Sequence, residues 1–194
     1  LSMKKNLLAY IKHYKSFIDK KMCDQTIKQL KSLDNSGWSE HTFYDSKTNT
    51  IKTRSGNKEL SVCYSNKILN KKILMDKLWE GIHKYITQLN FSWFDSWNGY
   101  TEIRFNKYSK NKKMAMHCDH IQSMFDGKRK GVPLLSVLGL LNDDYEWGEF
   151  IIFEKKEIKL KKGDLLIFPS LFLYPHRVEP VKKGTRYSFI SWVW

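Results

Sequence analysis

The amino-acid sequence predicts an α+β fold that is mainly β, a β-sandwich or jelly roll backed by N-terminal helices. Three observations lead there. The two best helical periodicities both lie in the first half of the chain. From Thr101 onward, short segments rich in β-branched and aromatic residues follow one another, separated by turn residues. All four prolines (Pro133, Pro169, Pro175 and Pro180) fall in the last third, where breaks between strands tolerate them and helix interiors would not.

In chain order, "IDKKMCDQTIKQLKSL" comes first and sets Met22, Cys23, Ile27, Leu30 and Leu33 close to helical spacing. "SGWSEHTFYDSKTNT" and "ELSVCYS" read as short strands and loops. "KKILMDKLWEGIHKYITQL" repeats the helical pattern through Ile73, Leu74, Leu78, Ile82, Tyr85, Ile86 and Leu89. "TEIRFNKY" then alternates, as a half-buried strand does. "PLLSVLGLLND" is a continuous apolar run ending in a turn, which suits a buried strand. "GEFIIFE" and "KEIKL" follow, and "KKGD" turns into "LLIFPS", so that these last two strands read as a hairpin. "HRVEPV", "KKG" and "TRYSFISWVW" supply two more strands. No repeat and no Pro-, Gly- or Ser-rich linker interrupts the chain. Residues 1–194 are therefore expected to form a single domain, with helical support over about 1–100 and most of the strand-rich core over about 101–194.

Composition bounds the function. A chain of 194 residues with 41% hydrophobic and 14% aromatic residues suits a packed globule rather than a disordered segment. Seven tryptophans imply large buried or pocket-lining surfaces. Lys and Arg outnumber Asp and Glu by 34 to 20, for a net charge of +14. Such a charge suits a nucleic-acid or other anionic partner, but equally a lysine-rich solvated surface. The lysines spread from Lys4 to Lys183, and their short clusters carry no interleaved aromatics of the kind that stack bases. Cys23, Cys63 and Cys118 are odd in number and form no CxxC, which points to a reducing compartment without a disulfide framework. The longest apolar run, "PLLSVLGLL", is too short to span a bilayer. The lysine-rich start lacks a signal-type apolar segment, and Met3 reads as the native start. A soluble cytoplasmic protein with no membrane partner is the expectation.

The chemistry concentrates in "MAMHCDHIQS". In a strand, His117 and Asp119 share a face, while Cys118 points away. His176 lies far downstream, but a jelly roll brings remote strands together. Two histidines and a carboxylate on one face leave three octahedral positions open, which is the facial triad of non-haem Fe(II) oxygenases; zinc accepts the same set. Arg186 begins the terminal strand, with Ser188, Ile190 and Trp192 on its face. An arginine fork near a metal suits the carboxylate of a dicarboxylate cosubstrate, and Ser188 can add a hydrogen bond. His120 faces away from Asp119, and His13, His41 and His83 have no partners in sequence and read as surface residues. Trp192 reads as core rather than pocket.

"HCD", "LLNDDYEWGEFIIF", "LKKGDLLIFPS" and "HRVEPVKKGTR" together resemble the 2-oxoglutarate/Fe(II) oxygenase superfamily, most closely its prolyl 4-hydroxylase-like branch. The resemblance covers roughly Thr101 to Trp194; taken singly, only the segment from His176 to Arg186 is specific. It implies a double-stranded β-helix, iron held by His117, Asp119 and His176, and Arg186 on the distal carboxylate of 2-oxoglutarate. Tyr108 matches a position where relatives often place a cosubstrate-binding tyrosine. The implied activity is hydroxylation of a prolyl or other residue of a protein or peptide. It consumes O2 and 2-oxoglutarate and yields succinate and CO2, with ascorbate as an auxiliary reductant. Two departures bear on the cosubstrate's secondary contacts. Trp147-Gly148 replaces a usual glycine pair, and Gly139 and Leu140 stand where an aromatic is common. "HIQSMFDGKRKGVP" is expected to be a basic loop at the mouth. The alternatives are a nucleic-acid-directed oxygenase, disfavoured because no second arginine closely follows Arg186, and a non-catalytic cupin-like binding module.

Overall fold

The structure, a computed structural model, describes residues 3–45, 48, 50–53, 58–64, 66–91, 99–119 and 133–194. The loop expected at the mouth, with its Lys128–Lys130 cluster and His120, lies almost wholly outside the described residues.

Helix α1 (Met3–Leu8) and strand β1 (Lys12–Tyr14) precede α2 (Lys20–Ser32). The helix α2 starts where Asp19 accepts the Met22 amide at 3.1 Å, which satisfies one of the free N–H groups of its first turn. Cys23, Thr26 and Leu30 form its buried stripe. Four short strands follow: β2 (Ser39–Glu40), β3 (Phe43–Asp45), β4 (Thr50–Lys52) and β5 (Ser61–Cys63). The long helix α3 (Lys71–Leu89) coincides with its predicted span. It ends at Asn90, whose left-handed backbone directs its N–H back to Ile86. Leu74, Leu78, Ile82 and Tyr85 make up its buried face.

The remaining strands are β6 (Arg104–Tyr108), β7 (Met114–His117), β8 (Leu135–Leu140), β9 (Glu146–Trp147), β10 (Phe150–Ile152), β11 (Lys156–Ile158), β12 (Leu165–Pro169), β13 (His176–Val178), β14 (Val181–Lys183) and β15 (Arg186–Val193). A seven-stranded antiparallel sheet runs β1-β12-β8-β15-β6-β5-β2, and a four-stranded one runs β11-β10-β13-β7. Consecutive strands pass between the two sheets, as β6, β7 and β8 do and as β11, β12 and β13 do again. That alternation makes the fold a double-stranded β-helix, or jelly roll, with N-terminal helices. Three strands of the large sheet, β1, β2 and β5, come from the first hundred residues.

The large sheet separates two cores. On its outer face Val137, Leu165, Ile167 and Phe189 pack with Leu74, Leu78 and Ile82 of α3. On its inner face Tyr108, Leu138, Leu166 and Phe168 meet Phe150, Ile152 and Val178 of the small sheet. Among the described residues no helix is long and apolar enough to cross a membrane.

The predicted hairpin between "KEIKL" and "LLIFPS" does not form. Instead, β11 pairs with β10, whereas β12 pairs with β8 and β1. Strand β12 is apolar and buried on both faces, so it needs two sheet neighbours, which the largely exposed β11 cannot supply. The "KKGD" turn thus carries the chain from one sheet to the other. Asp164 in that turn is buried and accepts from the Lys161 amide at 2.8 Å, the Ser16 amide at 2.8 Å and His13 Nε2 at 2.7 Å. His13 is therefore a partnered residue and not a free surface group. His41 is likewise half-buried, with Nδ1 2.8 Å from Glu59 Oε2. "HRVEPV" divides into β13 and β14 around Pro180, and β14 pairs with β9.

Candidate functional site

The strands β7 and β13 are neighbours in the small sheet, and His117 and His176 stand directly opposite each other. Their rings lie 4.3 Å apart between centroids. Asp119 lies just past the end of β7 and brings Oδ1 to 3.3 Å from His117 Nε2 and 3.7 Å from His176 Nε2. The three donor atoms fall within 4.8 Å of one another.

Each imidazole is oriented by its own backbone. His117 Nδ1 is 2.8 Å from Ala115 O, and His176 Nδ1 is 3.1 Å from Tyr174 O. A carbonyl only accepts, so Nδ1 carries the proton and a neutral ring turns its Nε2 lone pair toward the carboxylate. Phe150 and Phe168 flank the His176 ring at 5.5 and 5.0 Å. Ser136 on β8 donates to Asp119 Oδ2 at 2.5 Å and is itself bonded to Ser170 Oγ at 2.6 Å.

Charges follow from this packing. Burial alone would raise the Asp119 carboxyl; His176, His117 and the Ser136 hydroxyl outweigh it and hold the group well below the usual carboxylate range. Burial pushes His176 down to about 4, against the pull of Asp119. Burial also acts to lower His117, but its hydrogen bond to Asp119 and that carboxylate's charge raise it overall. An ionised carboxylate facing a neutral His176 is a donor set of the kind a divalent transition metal takes. Cys118 is not part of it: its Sγ turns to Phe172 O at 3.3 Å.

Arg186 opens β15, directly opposite Tyr108 of β6, with its guanidinium 5.0 Å from the Tyr108 ring. The side chain is 1% exposed. One nitrogen, Nη1, donates to Ser188 Oγ at 3.0 Å, whereas the buried Nε has no partner among the described residues. Among the described residues no carboxylate pairs with it. A buried guanidinium with an unmatched N–H is costly unless an anion completes it. The three residues singled out in the sequence as cosubstrate contacts (Arg186, Ser188 and Tyr108) therefore lie together on the inner face of the large sheet. Burial raises the Tyr108 phenol, with Arg186 and Arg104 opposing, so the hydroxyl keeps its proton.

The structure places both sequence departures. Trp147 and Gly148 each take positive φ, 67° and 74°. A β-carbon at Gly148 would lie 2.9 Å from Val181 Cγ2 and 3.2 Å from the Tyr145 ring, so space as well as φ favours glycine there. Trp147 holds its positive φ without glycine's freedom and stands 62% exposed. Gly139 faces the outer core, where a β-carbon would meet the Phe189 ring at 2.1 Å. Leu140 is buried opposite Ser188.

Four inner-face residues were not singled out as site residues in the sequence: Ser136, Asn106, Arg104 and Trp192. Trp192, expected in the core, is half-buried on the site face. Arg104 lays its guanidinium 5.0 Å from the Trp192 ring and donates from Nε to Asn106 Oδ1 at 3.0 Å. The signal was present in "RFNKY", where Arg104 and Asn106 alternate in step with Tyr108.

Comparison with known proteins agrees with this geometry. Residues 103–194 match the model of the 2OG-Fe(II) oxygenase superfamily. A PKHD-type hydroxylase of Xylella fastidiosa (strain M12) is 38% identical over an alignment of 100 residues that covers 46% of this chain and 43% of the relative. The match thus spans less than half the length of that relative. Among solved structures, a prolyl hydroxylase in complex with a hypoxia inducible factor oxygen degradation domain peptide fragment, from Trichoplax adhaerens, superposes with a TM-score of 0.68 at 18% identity, covering 97% of this chain and 86% of its own. The viral collagen prolyl hydroxylase of Paramecium Bursaria Chlorella virus-1, in its 2OG complex, gives 0.63 at 18% identity, covering 95% and 94%. At that identity the likeness is one of fold.

Proposed function

We propose that this chain, whose residues 103–194 match the model of the 2OG-Fe(II) oxygenase superfamily, is a member of that superfamily, an Fe(II)- and 2-oxoglutarate-dependent dioxygenase that hydroxylates a prolyl or other residue of a protein or peptide. One observation carries the reading. A buried arginine with an unpartnered Nε shares the jelly-roll interior with a converging His-Asp-His set. His117, Asp119 and His176 would hold the iron. Arg186 would take the distal carboxylate of 2-oxoglutarate, with Ser188 and Tyr108 beside it. When bound, iron, 2-oxoglutarate and O2 supply an oxidative decarboxylation to succinate and CO2 that is coupled to oxidation of a substrate C–H bond.

The protein's own residues contribute orientation and exclusion of water. Ala115 O and Tyr174 O fix the imidazole tautomers, and Ser136 fixes the carboxylate rotamer. Phe150 and Phe168 keep water from His176. Ser188 turns the guanidinium edge, and Tyr108 covers its face.

The peptide substrate is supported by the names of the relatives: a PKHD-type hydroxylase, and a prolyl hydroxylase solved with a peptide fragment. The same reading takes residues 1–194 as one domain, supported by strands from both halves in the large sheet. It places the chain in the cytoplasm, supported by three cysteines that form no disulfide, and admits ascorbate as auxiliary reductant. The +14 charge favours a nucleic-acid substrate as the second reading. Anaerobic titration with Fe(II) and 2-oxoglutarate, followed by a screen of peptides and oligonucleotides for the gain of one oxygen atom, tests both. Failure to bind 2-oxoglutarate removes the oxygenase reading. An oxygenated oligonucleotide, with no oxygenated peptide, replaces the first substrate class by the second.

A further inference from the structure

The inner face of the large sheet carries a second arginine, at the opposite end from Arg186. Register places it. Tyr108 stands opposite Arg186, Asn106 opposite Ser188 and Arg104 opposite Ile190. The next inward residue of β15, Trp192, stands opposite Ser136, the residue that holds Asp119. Trp192 thus sits beside the candidate metal ligands, and the Arg104 guanidinium lies over its ring at 5.0 Å. The positive charge of Arg104 bears on both His117 and Tyr108.

Arg104 is held but, among the described residues, not neutralised. Its Nε is committed to Asn106 Oδ1 at 3.0 Å, and its Cζ lies over the indole ring. Among the described residues no carboxylate pairs with it, and its outer nitrogens remain available. The Trp192 Nε1–H is buried and also lacks an acceptor among the described residues. A guanidinium stacked on an aromatic face and tied at Nε presents its two Nη groups edge-on, the arrangement that matches one planar carboxylate. A phosphate backbone calls for a track of cations instead. The next cation on this strand, Lys107, points to the other face, over Trp38 at 4.2 Å.

We propose that Arg104, stacked on Trp192 beside the metal-ligand end of the site, is a specificity-determining residue that takes a carboxylate of an acidic peptide substrate close to the residue being oxidised. The proposal rests on the oxygenase reading above and names the substrate class within it. It also gives a place to a residue that the cosubstrate assignment leaves unused.

The test is equilibrium binding to the protein loaded anaerobically with Fe(II) and 2-oxoglutarate. The probes are proline-centred pentapeptides, blocked at both ends, with Glu or Gln at each flanking position in turn. A parallel set with a free C-terminus separates a side-chain carboxylate from a terminal one. A charge-assisted bidentate contact predicts that one Glu or free-acid peptide binds about 10- to 100-fold more tightly than its uncharged counterpart. In Arg104→Gln that preference disappears, and Arg104→Lys recovers part of it. Arg104→Met, of similar reach, serves as a second variant should Gln perturb the sheet, with the melting temperature of each variant as the control for folding. Equal affinity for charged and uncharged peptides overturns the proposal. So does a preference that survives in Arg104→Gln, or a single-stranded oligonucleotide that outcompetes every peptide and depends on Arg104. A wild-type protein that takes up no 2-oxoglutarate fails the oxygenase reading itself, and that titration is read separately.

Discussion

The two buried ends of the inner face solve opposite electrostatic problems. At the triad, a carboxylate and two imidazoles face one another within 4.8 Å, and Ser136 and two backbone carbonyls satisfy the remaining polar atoms. At Arg186, a full positive charge is buried with one hydroxyl, one aromatic face and an unsatisfied Nε. The triad is compensated within the protein. Among the described residues the arginine is not, and on the proposed function an anion would complete the pocket. On that proposal, a charge is left unpaired in the interior where its partner would come from solution.

The predictions break or sharpen this contrast, taken from the largest effect down. His117→Ala/His176→Ala leaves a single carboxylate and should abolish Fe(II)-dependent succinate formation; wild-type turnover in that variant would remove the triad from the mechanism. Arg186→Ala should weaken 2-oxoglutarate binding by on the order of 10²–10³-fold, from about 3–5 kcal/mol for an orphaned buried charge, with Arg186→Lys recovering only part. Unchanged affinity, read by titration, would refute the assignment. Ser136→Ala frees Asp119 to rotate and should weaken metal binding by about 10- to 100-fold, because the residues that orient a ligand matter nearly as much as the ligand. Metal titration with no change would make the serine a packing residue only. The smallest effect has the opposite sign. Arg186→Met should raise the ligand-free melting temperature by a few degrees, corresponding to about 1 kcal/mol, since a thioether of similar volume needs no anion. A lower melting temperature would mean that Arg186 is compensated after all.

Local patterns were legible in the sequence where the physics is local. The helix α3 was read to its ends because its buried residues keep a 3.6-residue period. His117 and Asp119 were read from strand parity, although Asp119 itself lies just beyond the strand. Long-range pairing was not legible. His13 meets Asp164 across 151 residues, and nothing near His13 announces it. The "KKGD" turn looks like a hairpin turn because a turn has the same composition whether it returns a strand to its neighbour or sends it to another sheet. Only the burial of β12 on both faces decides between the two. Arg104 was missed for a different reason. Its parity was visible, but its value depends on Trp192 lying alongside, and that follows from sheet register rather than from spacing.

The position of β15 bears on how the molecule is made. It lies between β8 and β6, pairing with both, and is the last described strand in the sequence. During synthesis the edges of β8 and β6 are therefore translated early and wait for the strand that joins them. Until β15 inserts, each exposes a row of unpaired amides beside apolar side chains, the surface on which nascent chains associate wrongly. A ribosome pause or premature stop before Arg186 would thus leave a sheet split down its middle rather than a molecule lacking one strand, and such products should be found in the insoluble fraction.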